Sequence, residues 1–201
     1  MSNNILTGYH GTNIKNAVSI VRNNFTIPEK KAEDIGSRDN SRFYTYWLGP
    51  GVYFFEDIEV AKWWSKKPTS TFGATGSPTI VKAQINTSDK TWDLRKVSTW
   101  RKIIKVFDEY MEVIGSKIVG TCQENKSNTH NLLRCAFFTW FKSTYNVDII
   151  IAAFNQKEFQ YLSNGDYEIS EFLDLYYTEV QYCVFNTDCI SYREIMEGDL
   201  Q

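Results

Sequence analysis

The chain has 201 residues, 42% of them hydrophobic and 15% aromatic, and a formal charge of −2. That length suits a single domain spanning 1–201, able to bury roughly 70% of its unfolded surface without help from a metal or a disulfide. The charge balance argues against a protein that coats nucleic acid, which is ordinarily basic.

The four cysteines are Cys122, Cys135, Cys183 and Cys189, and no two form a CxxC pair. Neither His10 nor His130 falls in a cysteine cluster, so the ligand spacing of a metal site is missing and no metal is expected. The plain reading is thiols in a reduced cytoplasm. The N-terminal residues carry no basic or apolar signal segment, and no apolar run approaches the roughly 18 residues of a membrane span. The expectation is therefore a cytoplasmic protein with no membrane partner.

In chain order, Ile5 to His10 reads as a short strand ending at Gly11, with Thr12 placed to cap the helix that follows. Ile14, Ala17, Val18 and Val21 form one apolar stripe at helical spacing, ended by Asn23-Asn24. Phe25 to Ile27 is a candidate short strand. Residues 28–46 are polar and unpatterned, a long loop with the character of a binding loop or a surface excursion. Gly49-Pro50-Gly51 is a turn into the aromatic strand Val52 to Phe55. Glu56 and Asp57 bring negative charge to the start of the next helix, which carries Ile58, Ala61, Trp64 and Ser65 and is stopped by Pro68.

A Gly/Ser/Thr loop at 69–78 leads to the strand Thr79 to Ile85, and Thr91 to Leu94 closes that unit. Residues 97–114 read as a helix, 120–130 as a polar loop holding a surface His130, and Leu132 to Phe141 as another helix. The apolar run Val147 to Phe154 reads as a buried strand. Residues 171–176 read as a helical turn or irregular structure. Glu179 to Phe185 alternates as a late strand, and Cys189 to Ile195 reads as a final strand or short helix. Strands and helices intersperse without βαβ regularity, which favours an α+β fold.

The residues that carry chemistry sit in three of these segments. Tyr9-His10-Gly11-Thr12 runs into a helix. Gly51-Val52-Tyr53-Phe54 is followed eleven residues after Tyr53 by Trp64. Val180-Gln181-Tyr182-Cys183-Val184-Phe185 forms the late strand. In this order the segments resemble the His–Tyr–Glu motifs of the ADP-ribosyltransferases of the diphtheria-toxin and poly(ADP-ribose) polymerase type. The likeness runs in order along nearly the whole chain, but only the motif segments are close. It implies two small antiparallel sheets packed face to face with flanking helices, and NAD, as substrate, in the cleft between them.

The chemistry explains these residue types. Cleaving the bond between nicotinamide and ribose passes through an oxocarbenium-like state, so a protein gains by holding the ribose, gripping the leaving ring and placing negative charge nearby. In that picture His10 hydrogen-bonds a ribose hydroxyl. The bare Gly11 backbone approaches the carboxamide. Tyr53 stacks on the cationic ring for about 1–2 kcal/mol, Trp64 closes its other side, and Thr12 reaches the adenosine ribose.

The third motif departs from the family pattern, because Gln181 stands where a glutamate is usual. Glu179 lies two residues earlier, and strand periodicity turns both toward the same side. Gln181 is read as a ribose 2′-hydroxyl ligand, and Glu179 as the carboxylate that either supplies the negative charge or accepts the acceptor's proton. The resemblance thus implies a mono-ADP-ribosyltransferase acting on a macromolecular acceptor, protein, RNA or DNA. It further implies a bacterial or phage toxin or phage-defence effector, with an antitoxin or regulatory protein as a candidate partner. Two alternatives stand beside it: an inactive NAD- or ADP-ribose-binding module, and an NAD glycohydrolase.

Overall fold

The computed structural model describes residues 4–27, 46–66, 76–115, 129–155 and 178–196. The loops read at 28–46, 69–78 and 120–130, the Pro68 stop and the 171–176 turn lie wholly or largely outside them. The described residues form an α+β structure of seven strands and four helices. The order is β1 (Ile5–Asn13), α1 (Ile14–Asn23), β2 (Val52–Phe55), α2 (Ile58–Lys66), β3 (Pro78–Asn86) and β4 (Thr91–Asp93). Then follow α3 (Val97–Tyr110), α4 (Thr129–Thr144), β5 (Ile149–Asn155), β6 (Thr178–Val184) and β7 (Ile190–Ile195).

The strands make one mixed sheet in the order β4-β5-β6-β2-β1-β3-β7. This corrects the expectation of two small antiparallel sheets packed face to face. The pairs are antiparallel except for β4 on β5, which are parallel. The physical reason is the joint between β1 and β2. β1 runs alongside β3 for nine registered pairs, but meets β2 only at Tyr9↔Phe55. That pair links β4-β5-β6-β2 to β1-β3-β7, so the two groups share a ladder instead of facing each other.

Helices cover both faces of the sheet, as burial of an apolar sheet requires. On one face α3 and α4 pack Ile103, Val106, Tyr110, Phe137 and Phe141 over Ile150, Ala152 and Cys183. On the other, Ala17 of α1 and Phe25 join Val52, Phe54, Val81, Ala83, Ile149, Ile151 and Tyr182. A smaller cluster seats Val60 and Ala61 of α2 on Phe55 and Ile80.

Several local expectations change. β1 continues to Asn13, since its ladder with β3 extends to Asn13↔Pro78. The cap of α1 is accordingly Asn13, whose Oδ1 accepts from the Asn16 N–H at 3.0 Å, and not Thr12. Phe25 to Ile27 is not a strand; Phe25 serves as a core residue. The helix read over 97–114 ends as α-helix at Tyr110 and closes with a π-helical turn, Met111–Gly115. His130 lies in the first turn of α4 and not on a loop. Among the described residues no helix is long and apolar enough to cross a membrane.

Candidate functional site

Strand register sorts the candidate residues by face, because directly opposed residues project to the same side. Tyr53 opposes Cys183 and Phe55 opposes Gln181. Across β5, Ala152 opposes Gln181 and Phe154 opposes Glu179. Glu179, Gln181 and Tyr53 therefore share one face. The two polar side chains are 1% and 3% exposed respectively, and the Gln181 amide Nε2 donates to Glu179 Oε1. The period-two expectation for this pair holds. A buried carboxylate beside a buried amide is the kind of polar pair that a core tolerates only when it is hydrogen-bonded.

His10 lies one residue beyond the Tyr9↔Phe55 pair, so the register turns it to the opposite face. There it packs edge-on against Phe25, centroids 5.1 Å apart, and near Phe54. Its Nδ1 reaches back across the joint to the Tyr53 carbonyl oxygen at 2.8 Å. This bond spans the place where the β1–β2 ladder has stopped. A carbonyl only accepts, so Nδ1 carries the proton and Nε2 keeps its lone pair. Although part of the residue's surface remains accessible, the ring is closely surrounded by protein. That burial lowers the imidazole below its ordinary 6.5, outweighing the opposing effect of the Tyr53 bond. The residue is therefore a neutral acceptor near pH 7.

Tyr53 is fastened at its far end. Its hydroxyl accepts from the Leu48 N–H at 2.7 Å and donates to the Gly49 carbonyl at 2.7 Å. Burial pushes the phenol well above its ordinary value, with Cys183 adding to the effect. Tyr46 stacks near its ring at 6.2 Å. The ring thus staples the 46–51 turn to the sheet and is fixed in orientation. Gly49, at φ +90°, supplies the left-handed backbone that this turn needs.

Trp64 does not meet Tyr53. It stacks on Phe55 at 6.0 Å and 11° and meets Trp63 edge-on. Phe55 stands between the two, next along the same face of β2 as Tyr53. Gly11 turns its Cα toward α2, and a Cβ there would lie 2.2 Å from the Ala61 carbonyl oxygen and 2.9 Å from the Ser65 nitrogen. Glycine is required at this position because helix and strand backbones touch. Thr12 follows on the opposite face, paired with Thr79.

Sequence reasoning missed a polar cluster at the end of the same strands. Glu56, read only as helix-dipole charge, accepts from the Tyr182 hydroxyl at 2.9 Å and from Arg95 Nη1 at 3.2 Å. Arg95 also holds Asp93, Nε to Oδ1 at 2.9 Å. The cluster ties β2, β4 and β6 together beside Gln181 and fixes the strand that carries it. Alternation puts Tyr182 on the face opposite Gln181, but nothing in sequence spacing links it to residues 126 and 87 positions away.

The structure thus brings together His10 with the Tyr53 backbone, and Glu179 with Gln181. It places Trp64 with Phe55, and Gly11 against α2. No family model, curated protein or solved structure matches the chain.

Proposed function

We propose that the chain is an NAD-dependent mono-ADP-ribosyltransferase that passes ADP-ribose to a protein or nucleic-acid acceptor. The observation that carries this reading is the placement of Tyr53, Gln181 and Glu179 on one face of the sheet, with His10 tied to the Tyr53 carbonyl through Nδ1. His10 lies on the face opposite Gln181, at the joint where β1 and β2 pair at a single residue. His10 Nε2 accepts from a ribose hydroxyl there. Tyr53 and Trp64, each half-buried, offer aromatic surface to the nicotinamide ring, and Gln181 binds the ribose 2′-hydroxyl.

In the reaction the bond from ribose C1′ to the nicotinamide nitrogen breaks, and its electron pair leaves with nicotinamide. The acceptor's lone pair forms the new bond to C1′, and the acceptor's proton passes to Glu179. The carboxylate also offsets the positive charge that develops on the ribose. A role as a toxin or defence effector, restrained by an antitoxin, accompanies this reading through the family resemblance alone.

A second reading has its own support. Glu179 is 1% exposed and engaged by Gln181, so it must be uncovered before an acceptor can reach it. A chain in which it stays engaged is an NAD-binding module without turnover. Incubation with NAD labelled in its adenosine part decides between the readings. Transfer of label to macromolecules, with release of nicotinamide, is expected from the wild type and lost by at least about tenfold in Glu179→Ala, the effect of removing a general base. Full activity in that variant removes the role given to Glu179. NAD binding with no nicotinamide release across protein, RNA and DNA acceptors establishes the module. Free ADP-ribose with no labelled macromolecule identifies a glycohydrolase.

A further inference from the structure

Beside the Glu179–Gln181 pair, across β5, lies a cavity of about 490 Å³ lined by Arg134, Trp100, Phe154, Leu48, Phe138 and Arg95 among others. Its volume is within the range of small-ligand sites. The two arginines in its wall differ. Arg95 is neutralised by Asp93 and Glu56. Arg134 has no carboxylate partner among the described residues. Its guanidinium lies over the Trp47 ring at 5.1 Å and the Phe154 ring at 5.8 Å. Nη2 donates to Asn131 Oδ1 at 2.8 Å, while Nε is buried without a hydrogen-bond acceptor.

A half-buried cation with no carboxylate beside it is costly unless something completes it. Water does this poorly for a group packed against a pair of aromatic rings, whereas an oxyanion matches the guanidinium fork. Across the cavity Trp100 is 52% exposed, an aromatic surface on the first turn of α3 that its own helix does not use. One cation without a carboxylate partner and one open aromatic, in a cavity whose lining is apolar apart from the paired Arg95, match a planar ring attached to an anionic group.

We propose that this cavity is a nucleotide-binding pocket, with a phosphate on Arg134 and a base against Trp100, separate from the joint between β1 and β2. A nucleoside monophosphate and the 5′-phosphorylated end of a nucleic-acid chain share this chemistry. The pocket is independent of the NAD reading, although its place beside Glu179 suits an acceptor.

Calorimetric titration of the full chain with AMP, adenosine and a short oligonucleotide, with and without a 5′-phosphate, tests it. AMP binds and adenosine binds much more weakly. Arg134→Gln weakens AMP by about tenfold or more, the scale of one charge-assisted contact. Arg134→Lys, which keeps the charge but not the fork, falls between. Trp100→Ala, on an exposed face, weakens AMP several-fold with an unchanged circular dichroism spectrum. The phosphorylated oligonucleotide binding more tightly than AMP identifies a chain end as the natural source, and AMP alone identifies a free nucleotide. Equal affinity for AMP in wild type and Arg134→Gln overturns the proposal, as does failure of the wild type to bind AMP at millimolar concentration. Titration with NAD keeps the two sites distinct. AMP binding that persists under saturating NAD supports a second pocket, and displacement of AMP by NAD overturns it. Failure to bind NAD while AMP still binds removes the NAD reading and leaves the pocket standing.

Discussion

His10 couples the site to pH through its burial. In the unfolded chain its imidazole titrates near the ordinary 6.5, and in the folded protein burial holds it lower. Between those two values the unfolded chain binds the extra proton, so stability falls as pH falls. The contribution is complete above pH 6.5 and is lost as pH drops through the folded-state value. Denaturant midpoints at pH 7.5 and pH 5.5 measure it, and other carboxylates contribute to the same difference. His10→Asn isolates the imidazole, since its amide can still donate to the Tyr53 carbonyl and does not titrate. The wild type is expected to lose more stability than His10→Asn across this interval. Equal losses would show that the ring charges as easily in the folded protein as in the unfolded chain.

At the level of elements, β1 and α2 are joined by direct backbone contact at Gly11. Gly11→Ala puts a methyl 2.2 Å from the Ala61 carbonyl oxygen, and neither backbone can rotate out of the way. Helix α2 must move, and with it the stacking of Trp64 on Phe55. Overpacking of this kind costs about 1–3 kcal/mol or more. Urea denaturation should show that loss and near-ultraviolet circular dichroism a changed tryptophan signal, whereas a wild-type midpoint would mean that α2 is loosely seated. The sequence motif flagged Gly11 but not this reason for it. What could be read were local patterns: the stripe of α1, the apolar run of β5, and the i, i+2 placement of Glu179 and Gln181. What could not be read were partners. That Asn13 and not Thr12 caps α1 turned on how far β3 pairs along β1. The partner of His10 is a backbone carbonyl, which leaves no trace in residue identity. Arg134 sits on a helix where a basic residue reads as solvent-facing, and only the meeting of α4 with Trp47 and Phe154 makes it otherwise.

The whole molecule is held across its weakest ladder by side chains. Backbone pairing between β1 and β2 is one residue deep, which on its own would let β4-β5-β6-β2 and β1-β3-β7 open separately. The cluster containing Phe54 crosses that joint, placing Val81, Ala83 and Ile85 of β3 with Ile149, Ile151, Tyr182 and Val184 of β5 and β6. Phe54 is fully buried, touches the His10 and Phe25 rings, and precedes the only paired residue of the joint. Cooperativity between the two groups of strands therefore runs through this ring more than through hydrogen bonds. Phe54→Ala is expected to cost about 3–5 kcal/mol, the range for a buried aromatic truncated to alanine. Its more specific effect is on cooperativity. In native-state hydrogen exchange the slowest amides of β3 and β6 should share one opening free energy in the wild type and part in Phe54→Ala, with one group opening ahead of the other. Ile103→Ala, a truncation within the cluster under α3 and α4, provides the contrast: it lowers stability while leaving the two strands' slowest amides together. Separate opening energies in the wild type would mean that the sheet is two units in contact, and that the joint between β1 and β2 parts without global unfolding.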